Sequence, residues 1–201
     1  MGMVESAQAK LLVLIERCVV QCAAKLASLS GIRWHTHIIS IDVGCGDRFR
    51  SILARDAQEF IGVFFSNPGE RYLVMLSEDS GRALLQAYCN GRHPIPAALE
   101  QDTLAEIANI LINGLSGELG DLQGMARIIS GPTIMRGTKA AIYDRAFGDL
   151  PAVGGDAMID ALIHISAPPL AADCTLMLRL DTLSANFLLN SDPDSLQYQD
   201  C

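Results

Sequence analysis

No two cysteines in this chain stand at the C-x-x-C spacing of a metal or redox pair, although six are present: Cys18, Cys22, Cys45, Cys89, Cys174 and Cys201. Cys18 and Cys22 lie four apart on an apolar helical pattern, where a thiol behaves as a small core residue. Without a second pair of ligands the sequence offers no metal site, and scattered reduced thiols fit a cytoplasmic protein. No bilayer-spanning apolar run occurs; the stretch Leu11 to Val20 is broken by Glu16 and Arg17. A signal peptide would need a basic start and a small-residue cleavage site, and Glu5 stands where none belongs. The start Met1-Gly2-Met3-Val4-Glu5-Ser6 fits the loose myristoylation pattern, but a start codon followed by Gly explains it as well. There is no basic block, and the net charge of -8 argues against nucleic acid or an anionic membrane as partner. Gly-x-Ser-x-Gly is missing, and Ser28, Ser30, Ser116 and Ser130 have no neighbouring His, so serine hydrolysis has no support. Gly44-Cys45-Gly46 lacks the Lys and the helix of a phosphate-binding loop.

What is present is core-forming residue. Half of the 201 residues are hydrophobic and 19% are charged, the balance of a globular chain with room for one large domain or two small ones. Residues 5–30 carry a helical stripe (Leu11, Ile15, Cys18, Cys22, Leu26, Leu29) that Gly31 stops. Trp34 to Val43 alternates as a strand. Ala57 to Ser66 and Arg71 to Leu76 flank the turn Asn67-Pro68-Gly69-Glu70 and predict a hairpin, followed by a short helix from Ser77 to Tyr88. Residues 90–96 form a connector. A second long helix begins between Pro96 and Asp102 and fades near Gly117 or Gly120. Gln123 to Met135 then reads as a strand whose Pro132 implies an edge or a bulge. Gly137 to Gly155 reads as a mixed, mobile loop. Asp156 to Ser166 and Cys174 to Leu180 form another hairpin, Asp181 to Leu189 a closing helix, and residues 191–201 a polar tail.

The order long helix, strand, hairpin, short helix thus occurs twice. Glu16 lies 90 residues before Glu106, and Leu73 to Leu85 tracks Leu176 to Leu188 about 103 residues on. An internal duplication follows, with one half at about 5–90 and the other at about 97–190, making a single α+β domain with a pseudo-two-fold and a continuous sheet.

The second long helix carries the chemistry. At about 100° per residue, Asp102, Glu106, Asn109 and Asn113 share one narrow stripe. Leu104, Ile107, Ala108, Leu111 and Leu115 fall opposite, so burial of the apolar side turns a carboxylate and a carboxamide outward. Any surface helix shows such polar residues, so the stripe alone is a weak signal. His35 and His37 alternate on one strand without acidic or Cys partners and read as surface or packing residues. His164, in an apolar strand, reads as hydrogen-bonded in or near the core. Asn113 reads as solvated.

Spacing adds specificity. Asp102-x-x-x-Glu106-x-x-Asn109, then 22 residues, then Pro132, resembles the signature of the CheC-type phosphatases of bacterial chemotaxis, a group with CheC, CheX and the phosphatase form of the flagellar switch. The resemblance implies two long helices and a six-stranded, mainly antiparallel sheet. It also implies hydrolysis of the aspartyl phosphate on a CheY-like response regulator. Glu106 would engage the regulator's active-site Lys, Asn109 would position the attacking water, and Asp102 and Pro132 would complete the motif. The chain would need no cofactor, Mg²⁺ being held by the regulator. In the first half the aligned residues are Glu16, Val19 and Asp42; Val19 has neither donor nor acceptor and cannot orient water, leaving one competent site. Relatives that only dock a regulator or a CheD-like deamidase leave a non-catalytic module as the alternative, and a homodimer is left open.

Overall fold

The computed structural model describes residues 2–43, 47–89, 96–124, 128–148 and 158–190. The elements are α1 (Gly2–Ser30), β1 (His35–Val43), α2 (Asp47–Leu53), β2 (Phe60–Asn67), β3 (Glu70–Ser77), α3 (Glu78–Tyr88), α4 (Ala97–Gln123), β4 (Thr133–Gly137), α5 (Lys139–Phe147), β5 (Ile159–Ala167), a 3-10 turn (Pro168–Leu170), β6 (Ala172–Leu180) and α6 (Thr182–Asn190). All six strands join one antiparallel sheet in the order β1-β5-β6-β3-β2-β4. The order helix, strand, helix, strand, strand, helix is read twice along the chain. Exchanging β1 with β4, β2 with β5 and β3 with β6 reverses the strand order and returns the same sheet.

Alternation sorts the strand residues between two cores. On one face Val63, Phe65, Tyr72, Val74, Ile163, Ile165, Leu176 and Leu178 meet the apolar sides of α1 and α4. On the other, Leu73, Met75, Leu162 and Met177 are covered by Phe49 and Leu53 of α2 and by Ile142, Tyr143 and Phe147 of α5. α1 and α4 pack closely because α4 offers Gly114 to Cys22: a Cβ there would stand 3.1 Å from the Cys22 sulfur. Among the described residues no helix is long and apolar enough to cross a membrane.

Several boundaries differ from the sequence reading. α4 does not fade at Gly117 or Gly120; both are carried in a helix that continues to Gln123 and stops where Gly124 turns left-handed (φ 62°). Packing against α1 and the sheet outweighs the weak helical preference of glycine. Gln123, read as the start of a strand, is therefore helical, and Ile128 to Pro132 are not in a strand. The strand begins at Thr133, with Pro132 just before it, and β4 lies at the sheet edge, where a missing N–H is tolerated. The segment from Gly137 is not simply a loop: Thr138 caps α5 by accepting from the Ala141 N–H, and Ile142, Tyr143, Ala146 and Phe147 form its buried face. α2 is a further addition, a helix of seven residues whose buried pair Phe49 and Leu53 is one turn apart. The readings for Met1 and for residues 44–46, 90–95, 125–127, 149–157 and 191–201 lie outside the described residues.

Beneath α5 the second core holds a buried ion pair. Arg179 on β6 makes two hydrogen bonds to Asp160 on β5, from Nε to Oδ1 at 2.6 Å and from Nη2 to Oδ2 at 2.8 Å. Nη2 also donates to the Tyr143 hydroxyl at 2.7 Å, and the guanidinium lies 4.8 Å from the centre of the Phe147 ring. Asp160 and Arg179 are 2% and 6% exposed. Burial pushes the Asp160 carboxyl above its ordinary range against the pull of Arg179.

Gly62 on β2 lies directly under Ile142 of α5. A Cβ at this position would meet the Ile142 Cγ2 at 2.5 Å, inside any real contact distance. Gly62→Ala is expected to cost about 1–3 kcal/mol by overpacking, read as a lowered midpoint in urea unfolding with the slope unchanged. A variant as stable as the parent would show that α5 can move off the sheet freely.

Candidate functional site

α4 presents the motif on its outward side. Leu104, Ile107, Ala108, Leu111, Ile112 and Leu115 are buried, which fixes the roll of the helix. Asp102, Glu106 and Asn113 are exposed, and Asn109 is half-buried at the border of the exposed arc. Glu106 and Asn109 are three residues apart and so are neighbours on one helix face. The structure adds a contact that the sequence does not announce: Asn113 is not merely solvated, because its Nδ2 donates to Asn109 Oδ1 at 2.9 Å. Its place on the same stripe, four residues after Asn109, is the signal available.

The chain beyond α4 is tied to the sheet through Ser130. The Ser130 N–H donates to the Ser66 carbonyl at 2.8 Å, and the Ser66 N–H donates to Ser130 Oγ at 2.9 Å. Ile129 packs on the first core while Ile128 is exposed. Pro132 and Gly131 are exposed on the way into β4. The two bonds at Ser130 thus anchor the Pro132 segment to the end of β2, a role that no sequence pattern marks.

The first half differs in kind. Glu16 is exposed on α1, as Glu106 is on α4, but Val19 is 1% exposed and part of the core. Leu12, Glu16 and Val19 line an open cavity of about 180 Å³ with Thr36, His37 and Ile38 of β1. Asp42 lies far along β1, paired with Asp160, whereas Pro132 precedes its strand, so the two do not occupy equivalent places.

His164 is not in the core. It is half-exposed, directly across from His37 on the β1–β5 ladder, and its Nε2 lies 4.0 Å from Asp173 Oδ2. Among the described residues no three His, Cys, Asp or Glu side chains are grouped to hold a metal ion. Cys18 and Cys22 are buried, and burial pushes both thiols up to about 12, so neither is a thiolate near neutral pH.

No protein-family model matches the chain, and no curated protein matches it in sequence. Solved structures do. FliY of Thermotoga maritima superposes with a TM-score of 0.65 at 11% identity, over 94% of this chain and 96% of that one. A chain of the FliG–FliM complex from H. pylori gives 0.56 at 11%, over 92% and 97%. The chemotaxis protein CheX from Desulfovibrio desulfuricans gives 0.52 at 12%, over 84% and 99%. The chain therefore has the fold shared by CheX and the FliY and FliM proteins.

Proposed function

We propose that this chain is a protein phosphatase acting on the aspartyl phosphate of a CheY-like response regulator. The observation that carries the reading is the outward placement of Glu106 and Asn109, one turn apart on a helix whose opposite side is locked into the core. An acyl phosphate is labile, and the regulator brings its own Mg²⁺ and Lys to neutralise phosphoryl charge. What a partner must add is a water held in line with the leaving oxygen. A carboxamide is suited to hold it, since its oxygen accepts from the water and it brings no charge against the phosphate. Glu106 supplies a charge-assisted contact to the regulator's Lys and sets register. The half-buried position of Asn109 restricts its rotamers, while the exposure of Glu106 leaves it free to meet a partner's cation.

A second reading is a docking module without hydrolysis, for a regulator or a CheD-like deamidase. The likeness to a chain of the FliG–FliM complex and the apolar Val19 in the first half favour it. One assay separates the two. A phosphorylated CheY-like regulator in Mg²⁺ buffer loses phosphate at its own rate; substoichiometric chain is expected to raise that rate and turn over repeatedly. Binding without acceleration would leave only the docking reading.

A further inference from the structure

We propose that the outward face of α1 docks an amphipathic helix of another protein, one with aliphatic side chains two turns apart and a Lys or Arg between them. The inference is independent of both functional readings above, since it concerns the half of the chain without the amide. About 120° of the α1 wheel is open to solvent and carries Ala9, Leu12, Val13, Glu16, Val20 and Ala24. One of the six is charged. Leu12, Val13 and Val20 are 44%, 57% and 51% exposed, and they are three of the eight large hydrophobics exposed among the described residues. Scattered singly, such residues need no explanation; three on one arc form a patch suited to a partner. Ninety residues on, Asp102 and Thr103 stand in the places of Leu12 and Val13, so the apolar face is particular to α1.

The patch also says what its occupant must carry. Glu16 stands midway between Leu12 and Val20, and among the described residues it has no ion-pair partner. Arg17, next in the chain, is turned about 100° away from it on the wheel. Beside Glu16 the open cavity of about 180 Å³, walled by Leu12, Val19 and Ile38, has room for one aliphatic side chain. A partner that covers the patch takes the carboxylate out of water, which is costly unless a countercharge comes with it. A second copy of this chain brings none. A two-fold contact centred on the patch sets Glu16 against its own copy, because Leu12 and Val20 lie four residues to either side. Residues 191–201 bring none either, holding Asp192, Asp194 and Asp200 but no Lys or Arg. A foreign helix with a cation one turn from each of two aliphatic residues matches the spacing of Leu12, Glu16 and Val20.

The test uses the full chain and a synthetic helical peptide of about 18 residues, with leucines two turns apart, a lysine midway between them and an otherwise polar surface. Binding is read by fluorescence anisotropy at low salt, where the charge contact is least screened. The parent is expected to bind this peptide about tenfold more tightly than the same peptide with glutamate in place of the lysine. Glu16→Gln brings the two affinities within about twofold of each other, because the charge that tells them apart is gone. Leu12→Gln and Val20→Gln, both compatible with a helix at exposed positions, each weaken the lysine peptide about fivefold. No binding of the lysine peptide, equal affinity for both peptides, or a preference that survives Glu16→Gln would overturn the proposal. So would unchanged affinity in Val20→Gln, which would seat the peptide elsewhere. A parent that sediments as a dimer and becomes a monomer in Val20→Gln would also overturn it, by giving the face to a second copy.

Discussion

Asn109→Ala is expected to lower regulator dephosphorylation by about a hundredfold or more, to the rate of the regulator alone, because it removes the group that aligns the attacking water. The substitution deletes a carboxamide at the border of the exposed arc, where it leaves no cavity in the core, so the thermal midpoint should stay within a degree or two of the parent. Affinity for the phosphorylated regulator should persist, because Glu106, exposed one turn earlier, still offers its carboxylate. Glu106→Gln is the complementary change: it keeps the shape, removes the charge that would meet a lysine, and acts through KM and salt dependence. Single-turnover phosphate release together with a binding isotherm checks both. Equal rates for parent and Asn109→Ala would remove the amide from the mechanism, whatever the affinity.

The other large effect belongs to stability. Arg179→Met would leave the Asp160 carboxylate, 2% exposed, without its two hydrogen bonds and without a countercharge. Removing one partner of such a pair costs about 3–5 kcal/mol, since the remaining charge stays out of water. For a chain of this length the thermal midpoint should fall by roughly 10 °C. Arg179→Lys should recover only part, because an ammonium cannot reach both carboxylate oxygens and the Tyr143 hydroxyl at once. The variant also carries a pH signature. Burial raises the folded Asp160 above an unfolded value of about 3.9, so the native state takes up the proton first and its stability falls as pH rises through the folded value. With Arg179 gone that value rises further, and the deficit of Arg179→Met should be smaller near pH 5 than near pH 8. Replacing Asp160 as well, by Asn, should restore most of the loss at neutral pH. Urea unfolding at the two pH values decides it; a pH-independent deficit would mean that Asp160 is reached by water in the variant.

How much of the molecule is legible in its sequence depends on what kind of order each element uses. The roll of α4 can be read from Leu104, Ile107, Ala108, Leu111 and Leu115, because burial of one side is a property of sequence period. Both hairpins can be read from alternation and turn chemistry. α2 and α5 cannot, since a helix of two turns has too few residues to establish a period. Phe49 with Leu53, and Ile142 with Ala146, look like chance pairs until the sheet face they cover is known. The end of α4 is misplaced because Gly117 and Gly120 suggest a stop, whereas the contacts that carry the helix past them come from another part of the chain. At the site, the types and spacing of Glu106 and Asn109 are evident. The bond from Asn113 and the clamp of Ser130 on Ser66 are not, because a hydrogen bond depends on rotamers and on chain paths that a linear pattern does not encode.

The strand order has a bearing on how such a molecule could arise and come apart. Among the described residues β1 is hydrogen-bonded to β5 alone, and β4 to β2 alone, so each half of the chain carries the other's outermost strand. A fragment ending near residue 90 would have a hairpin and a long helix but nothing for β1 to lie against. Neither half can close by itself, much as clasped hands cannot be shared out between two people. A chain of half this length with the same strand pairing would have to fold as two copies trading outer strands; within one chain that encounter between molecules becomes a loop closure.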